Sequence, residues 1–398
     1  PAQRLLQGPP SKSKFLAAMT KLDTAMQLAK DLAPLLKEQA TEVDAQAAWP
    51  ETGIRAIQAS GLGGLVVPTE FGGMGLGIGA MVRVGEVLGA ACASTSICFG
   101  MHCVASAVIA AKATPAHEDL LATIAAGEHL TTLALSEPGS GSHFYFPETE
   151  IHTDADTLRI RGEKSFVTNG GQADSYVISA VSSGEDAPPG EFSCVVIPSQ
   201  AEGITWSGDW NGLGMRGNSS RFVKLDVSLP HDALLGNRGD QIWYVFNVVA
   251  PYFLSAMSGT YLGITQAAIQ ETIAHMKKRH HNHNGMALSE NPILQHRLGE
   301  LWAAQESARC LTRYAADATD AGEDVLPALL SSKAEVADSA TRAVNECMTL
   351  CGGKAYAENG LFGRWLRDLR AIHVMAPTTD ILRTWVGRLL LDERLFSD

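Results

Sequence analysis

The spacing of apolar residues along this 398-residue chain changes period twice, and that double change constrains the fold more than any other feature of the sequence. From Phe15 to about Glu128, Ala and Leu recur every three to four residues, the repeat of one helix face, with turn signals at Trp49-Pro50 and at Phe71-Gly72-Gly73-Met74-Gly75. From Leu130 to about Pro230 the period shortens to short alternating runs such as Leu158-Arg159-Ile160-Arg161 and Ser175-Tyr176-Val177-Ile178, broken by Gly, Asp and Pro. After Asp240 helical spacing returns around Val245 to Arg279, Ile293 to Ala321, Leu326 to Leu350 and Thr378 to Leu395. The pattern predicts a helical domain over 15–129, a β domain over 130–236 and a helical bundle over 237–398. No repeat, low-complexity tract or long linker separates the three, so a ligand site is expected in a cleft between them.

Composition excludes several function classes. The formal net charge is −12 and the longest basic cluster is Lys277-Lys278-Arg279, so no face is expected to bind nucleic acid. No apolar run approaches the roughly 20 residues that span a bilayer, and Pro1 to Lys14 lacks the apolar stretch of a signal peptide, so no membrane partner and a cytoplasmic location are expected. Five of the seven cysteines (Cys92, Cys98, Cys103, Cys347, Cys351) lie in apolar stretches, as buried, reduced thiols would. Cys347 and Cys351 have no second pair, and His280-His281-Asn282-His283 reads as a solvated loop, so no metal is expected.

Two glycine-rich turns stand out in the β domain. Leu135-Ser136-Glu137-Pro138-Gly139-Ser140-Gly141-Ser142 combines hydroxyls, a turn-fixing Pro and glycines that admit a ligand to the backbone. Lys164-Ser165-Phe166-Val167-Thr168-Asn169-Gly170-Gly171 repeats the theme, and the two turns could line one site. By its local chemistry alone, each is also compatible with an ordinary turn, and Phe166 with a core position on a strand.

Taken in order with Asn211-Gly212-Leu213-Gly214-Met215-Arg216-Gly217-Asn218-Ser219-Ser220, these turns resemble the acyl-CoA dehydrogenase family. The likeness extends to Pro68-Thr69-Glu70-Phe71-Gly72-Gly73-Met74-Gly75, to Cys351-Gly352-Gly353-Lys354-Ala355-Tyr356 and to Leu366-Arg367-Asp368, so it runs from about residue 30 to the end. The resemblance implies an N-terminal α-helical domain, a β-barrel-like middle domain and a C-terminal four-helix bundle, assembled as a homotetramer or homodimer that shares FAD between subunits. It implies that Ser136, Gly141, Ser142, Phe166 and Thr168 hold the flavin ring, and that Arg279, Gly352, Gly353 and Thr378 contact the rest of FAD, Arg279 reaching the pyrophosphate of a neighbouring subunit. His280-His281-Asn282-His283-Asn284 departs from the family's pattern after that arginine.

A second departure concerns the reaction. The resemblance implies removal of the α-proton of an acyl thioester by a Glu while hydride passes to flavin N5. Ala376 stands at the position of that Glu, and the family's alternative position, at or next to Phe253, lies in a stretch from Ile242 to Ala268 with no Asp or Glu. Three readings remain. In the first, an acyl thioester of CoA or acyl-carrier protein is dehydrogenated with a substitute base, Asp380 or His373, and electrons pass to an acceptor such as electron-transfer flavoprotein; the bland reading of Asp380 is a helix N-terminal residue favoured by the dipole. In the second, a monooxygenase of the same fold uses oxygen with a flavin reductase, and His102 resembles a histidine that some such enzymes place near the flavin; a lone His on an apolar helix also suits a satisfied core position. The third is a non-catalytic flavin-binding subunit of a mixed oligomer.

Overall fold

The computed structural model of the chain describes residues 12–185, 187–357 and 360–396. The first 11 of the 14 residues over which no leader is expected lie outside the described residues. Five helices form the first part: α1 (Lys12–Gln46), α2 (Glu51–Ala59), α3 (Ile78–Ala91), α4 (Ala93–Ala111) and α5 (Pro115–Ala125). The turn signals fall between them, because Pro50 precedes α2 and the 72–75 glycines precede α3. In α5, Thr114 and His117 form a reciprocal cap with Pro115 in the first turn. α4 corrects the expectation that no run is long enough for a membrane: by length and composition its 19 residues would cross one. It is instead the central helix of the protein, 94% buried over its most apolar stretch and packed against α3, α7 and the sheet, which is why it is apolar all round.

The middle part is an eight-stranded sheet of β1 (Thr131–Ala134), β2 (Glu150–Thr153), β3 (Leu158–Val167), β4 (Ser175–Ser182), β5 (Phe192–Pro198), β6 (Ile204–Ser207), β7 (Arg221–Leu229) and β8 (Leu234–Leu235). Its order is β6-β7-β3-β2-β4-β5-β8, and β1 also pairs with β4. Both β1 and β2 run parallel to β4, β1 along Ser175–Ile178 and β2 along Val181–Ser182. The chain therefore leaves the sheet after Ala134 and returns to it at Glu150, and the excursion between carries the first glycine-rich turn. The β3–β7 ladder shifts register between Lys164 and Val167, which places a bulge at the second.

In the last part α6 (Gln241–Tyr244) runs through a π-helical turn, Val245–Val249, into α7 (Ala250–Lys278), followed by α8 (Pro292–Asp320), α9 (Leu326–Cys351), α10 (Leu361–Val374) and α11 (Thr379–Leu390). Pro251 accounts for the π turn: its ring crowds the carbonyl one turn back and it has no N–H to donate, so the helix widens there instead of breaking. α7, α8, α9 and α11 match the four expected segments, and α10 is an additional helix whose buried stripe of Phe362, Trp365, Leu369 and Ile372 is short. α3 and α7 approach so closely that a Cβ on Gly89 would stand 2.4 Å from the Thr260 carbonyl oxygen. That contact joins the first and last parts into one core. All seven cysteines are free thiols, and all but Cys310 are buried.

Candidate active site

A cavity of about 390 Å³ opens where the three parts meet. Met101 of α4, Leu133 and Leu135 on and after β1, Phe144 of the excursion, and Val249 and Phe253 from the start of α7 make its apolar walls. The second turn contributes Ser165, Phe166 and Thr168, the 211–220 loop contributes Met215, Asn218 and Ser220, and the end of α10 contributes Ala371, Val374, Met375 and Ala376.

The first turn is held by a buried ion pair. Lys164 and Glu137 are 0% and 4% exposed, and Lys164 Nζ donates to Glu137 Oε1, to the Ser179 carbonyl at 2.6 Å and to Ser179 Oγ at 3.3 Å. The Glu137 carboxylate also accepts from the backbone N–H groups of Glu148 at 2.6 Å and Thr149 at 3.2 Å, so one side chain ties both ends of the excursion to β3. Burial pushes the Lys164 ammonium below its ordinary range, and Glu137 opposes the shift. Neither residue carries a role by sequence pattern alone; the signal that could have found them is a charged residue inside each glycine-rich turn.

The bulge on β3 turns Phe166 out of the sheet. Its φ is +54°, a conformation in which a bulky side chain stores about 1–3 kcal/mol of strain, and it is 58% exposed at the cavity rim. Its ring stands edge-on to Trp210 at 6.4 Å and near Phe222 at 5.3 Å. This rules out the core-strand reading of Phe166. Next to it, Asn169 welds the parts together: Oδ1 accepts from Trp49 Nε1 at 2.9 Å, and Nδ2 donates to the Cys98 carbonyl at 3.0 Å.

The opposite rim is clamped by α10. Asp368 accepts from the Met215 N–H at 2.7 Å, and Arg367 donates to the Leu213 carbonyl at 3.1 Å while pairing with Asp44 of α1. Burial pushes the Asp368 carboxyl up to about 6. A Cβ on Gly214 would lie 2.2 Å from the Arg367 carbonyl oxygen, so only glycine lets loop and helix meet.

Of the residues expected to hold the ring, Ser136, Gly141, Phe166 and Thr168 line the cavity and Ser142 does not. Ala376 lines it too. The structure corrects the three expected titratable groups. Asp380 is exposed in the first turn of α11, and the His373 ring pairs with Thr341 Oγ1 at 3.0 Å; neither lines the cavity. His102 is a core residue: its Nδ1 accepts from the Thr131 N–H at 3.1 Å, its Nε2 lies 2.9 Å from the Gly63 carbonyl, and burial lowers its pKa to about 4, so it is neutral. Thr378 precedes α11 and its carbonyl accepts from Leu382 N, outside the cavity. Arg279 is exposed at the end of α7, and Gly352 and Gly353 form a turn at the end of α9. Cys351 bonds Thr272 of α7 at 3.6 Å, so these three residues share one end of the bundle, remote from the cavity.

Two side-chain atoms in the cavity wall are buried without a partner, Ser165 Oγ and Asn218 Oδ1. At Gly141, φ is +54° and no atom lies where a Cβ would stand. One donor, one acceptor and open backbone amid apolar and aromatic surface fit a flat heteroaromatic ring with a polar edge, which is the shape of a flavin. The sole charged side chain on the wall among the described residues, Glu137, is already paired.

Comparison with known proteins agrees with that fit. The family models described as the N-terminal, middle and C-terminal domains of acyl-CoA dehydrogenase match residues 23–128, 132–227 and 255–391. Cyclohex-1-ene-1-carbonyl-CoA dehydrogenase from Geobacter metallireducens is 27% identical over 91% of this chain and 94% of its own. The structure of butyryl-CoA dehydrogenase from Megasphaera elsdenii superposes with a TM-score of 0.88 at 21% identity, covering 97% of this chain and all of that one. TdsC from Paenibacillus, solved with FMN and indole, does so with a TM-score of 0.84 at 23% identity, covering 93% and 97%. With all three domain models matched in order and the cavity formed where the domains meet, this chain belongs to the acyl-CoA dehydrogenase family of flavoprotein oxidoreductases.

Proposed function

We propose that the chain binds FAD in this cavity and oxidises an acyl thioester, carried by CoA or acyl-carrier protein, across its α,β bond. The observation that carries the flavin site is that both glycine-rich turns line one mostly apolar cavity, whose wall residues Ser165 and Asn218 each bury an unpartnered side-chain oxygen. When bound, the flavin supplies the two-electron acceptor. The chain's own residues then divide the remaining work. Ser165 and Asn218 offer a donor and an acceptor to the polar edge of the ring, Phe166 and Trp210 offer aromatic faces, and Glu137 with Lys164 fixes the loop beside them. Met101, Phe144, Val249 and Phe253 exclude water from the reacting end, which strengthens every polar contact within. The position of Arg279 and Gly352 at the far end of the bundle supports a homo-oligomer in which those residues serve a neighbouring subunit's cofactor. Gly352 stands about five helical turns, roughly 28 Å, along α9 from Lys333, which touches the cavity wall.

One observation favours a second reading, monooxygenation with oxygen and a flavin reductase: among the described residues no unpaired carboxylate, imidazole or amine lines the cavity, so no side chain there stands ready to take an α-proton. Anaerobic titration of the FAD-bound protein with saturated acyl-CoAs separates the two. Bleaching of the flavin supports dehydrogenation and electron delivery to an acceptor such as electron-transfer flavoprotein. No bleaching, together with reductase-coupled oxygen uptake on a non-thioester substrate, establishes the second reading. Inertness in both assays removes both and points to a flavin-binding subunit.

A further inference from the structure

Behind the wall formed by Met375 and Ala376 lies a cation with no counterion. Lys333 of α9 is 0% exposed, and its Nζ donates to the carbonyl oxygens of Met375 at 3.1 Å and Pro377 at 2.9 Å. α10 ends at Val374 and α11 begins at Thr379, so these carbonyls belong to the link between two helices, where regular helical bonding is interrupted. Lys333 bonds the residues on both sides of Ala376.

Of the described charged groups on the surrounding elements, none pairs with Lys333; Arg370 of α10 is exposed and, like Lys333, lowers the His373 pKa. On α10, His373 bonds Thr341, and Lys333 is among the charges that lower its pKa. On α11, Arg383 pairs with Asp338 of α9 at the surface, and Asp380 is exposed. On α7, the Tyr261 hydroxyl reaches Met375 Sδ at 3.8 Å. On α8, Arg309 pairs with Glu306 and with Glu86 of α3. Among the described residues no carboxylate forms an ion pair with Lys333, and burial alone lowers its pKa to about 7.

We propose that Lys333 is a positioning residue of the reaction cavity, which fixes the Met375–Ala376 wall against bound substrate by tying the backbone on both sides of Ala376. The proposal rests on the reading of the cavity as the flavin and substrate site. Opening the wall hydrates the amine, and burial holds its pKa at about 7 in the closed site, so the wall is held more firmly at pH 8.5 than at pH 6. Global stability runs the same way: the folded pKa lies below the ordinary value of 10.5, so stability is greatest above that value, falls as pH drops from about 10 to about 7, and is level below. A residue with a purely structural role would show these trends without changing substrate affinity.

The test is hydrogen exchange of the segment 371–381 in wild type and Lys333→Met between pH 6 and 8.5, corrected for intrinsic exchange, alongside FAD content and the response of the flavin spectrum to butyryl-CoA. The expected result is wild-type protection at least tenfold greater at pH 8.5 than at pH 6. Lys333→Met should lose that protection and its pH dependence, keep its FAD, and bind butyryl-CoA at least tenfold more weakly, while Lys333→Arg, which keeps donors for both carbonyls, restores part of the affinity. Equal protection in wild type and Lys333→Met overturns the proposal. If Lys333→Met does not fold, the wild-type pH series decides alone, and a flat series overturns it. A wild type that binds no FAD sinks the cavity reading whatever the exchange data show; one that binds FAD with flat exchange sinks only the role of Lys333.

Discussion

Replacing Glu137 by Ala tests how the glycine-rich turn is held. The change leaves the Lys164 ammonium fully buried without its carboxylate and removes the acceptor of the Glu148 and Thr149 N–H groups. Removing one partner of a buried pair is typically destabilising by about 3–5 kcal/mol, a large share of the roughly 5–15 kcal/mol that holds a domain folded. At about 2 °C per kcal/mol for a large domain, the melting temperature should fall by roughly 6–10 °C. The double variant Glu137→Leu with Lys164→Met removes both charges, and most of that loss should return, because apolar side chains of similar volume replace a buried pair at little net change. FAD affinity should not return with it, since the Glu148 and Thr149 N–H groups still lack their acceptor and the Ser136–Ser142 turn is no longer tied to β3. Scanning calorimetry of the FAD-free proteins and fluorescence titration with FAD measure the two effects separately. A single variant that melts within about 1 °C of wild type, or a double variant that regains FAD affinity with stability, would refute the reasoning.

Three further perturbations follow from the geometry. Asp368 has a folded pKa of about 6, above the ordinary value, so its contribution to stability is present below about pH 4 and lost as pH rises through 6; Asp368→Asn should gain up to about 3 kcal/mol over wild type between pH 4.5 and pH 7, and an advantage independent of pH in urea unfolding would refute this. Gly214→Ala sets a methyl against the Arg367 carbonyl and should destabilise by about 1–3 kcal/mol and weaken FAD binding, whereas unchanged melting and retention would show that the loop and α10 can separate freely. Ala376→Glu places a carboxylate on the cavity wall and should raise acyl-CoA-dependent flavin reduction by about 10²–10⁴-fold if the thioester reading holds, as stopped-flow bleaching would show; no gain with any acyl-CoA argues for the monooxygenase reading.

Much of the architecture was legible along the chain because it is local. The switch from a helical to a two-residue repeat and back marks the three parts, and Trp49-Pro50 and the 72–75 glycines mark helix boundaries, since each depends on backbone preferences within a few residues. α10 lies outside the four expected segments because its apolar stripe is short, and length and composition alone do not tell the core helix α4 from a membrane span.

The site divides the same way. Ser136, Gly141, Phe166 and Thr168 could be singled out from the sequence because glycines and hydroxyls at a strand end are a local signature, and all four line the cavity. Partnership could not be read there. Glu137 meets Lys164 across 27 positions, Met215 meets Asp368 across 153, and both pairs exist only because the excursion from the sheet and the start of α10 fold onto the same rim. The same physics removed His102, His373 and Asp380 from the cavity. A titratable side chain looks alike in sequence whether its hydrogen bonds are satisfied in the core, at a helix end or in a cleft, and only burial and long-range contacts decide which. The sequence by itself determined three parts, a pair of glycine-rich turns and a methyl at the position of the expected base. Only the tertiary structure decided that the cavity wall carries no free base and that a buried lysine stands behind it, because desolvation and pairing are properties of packing across the chain.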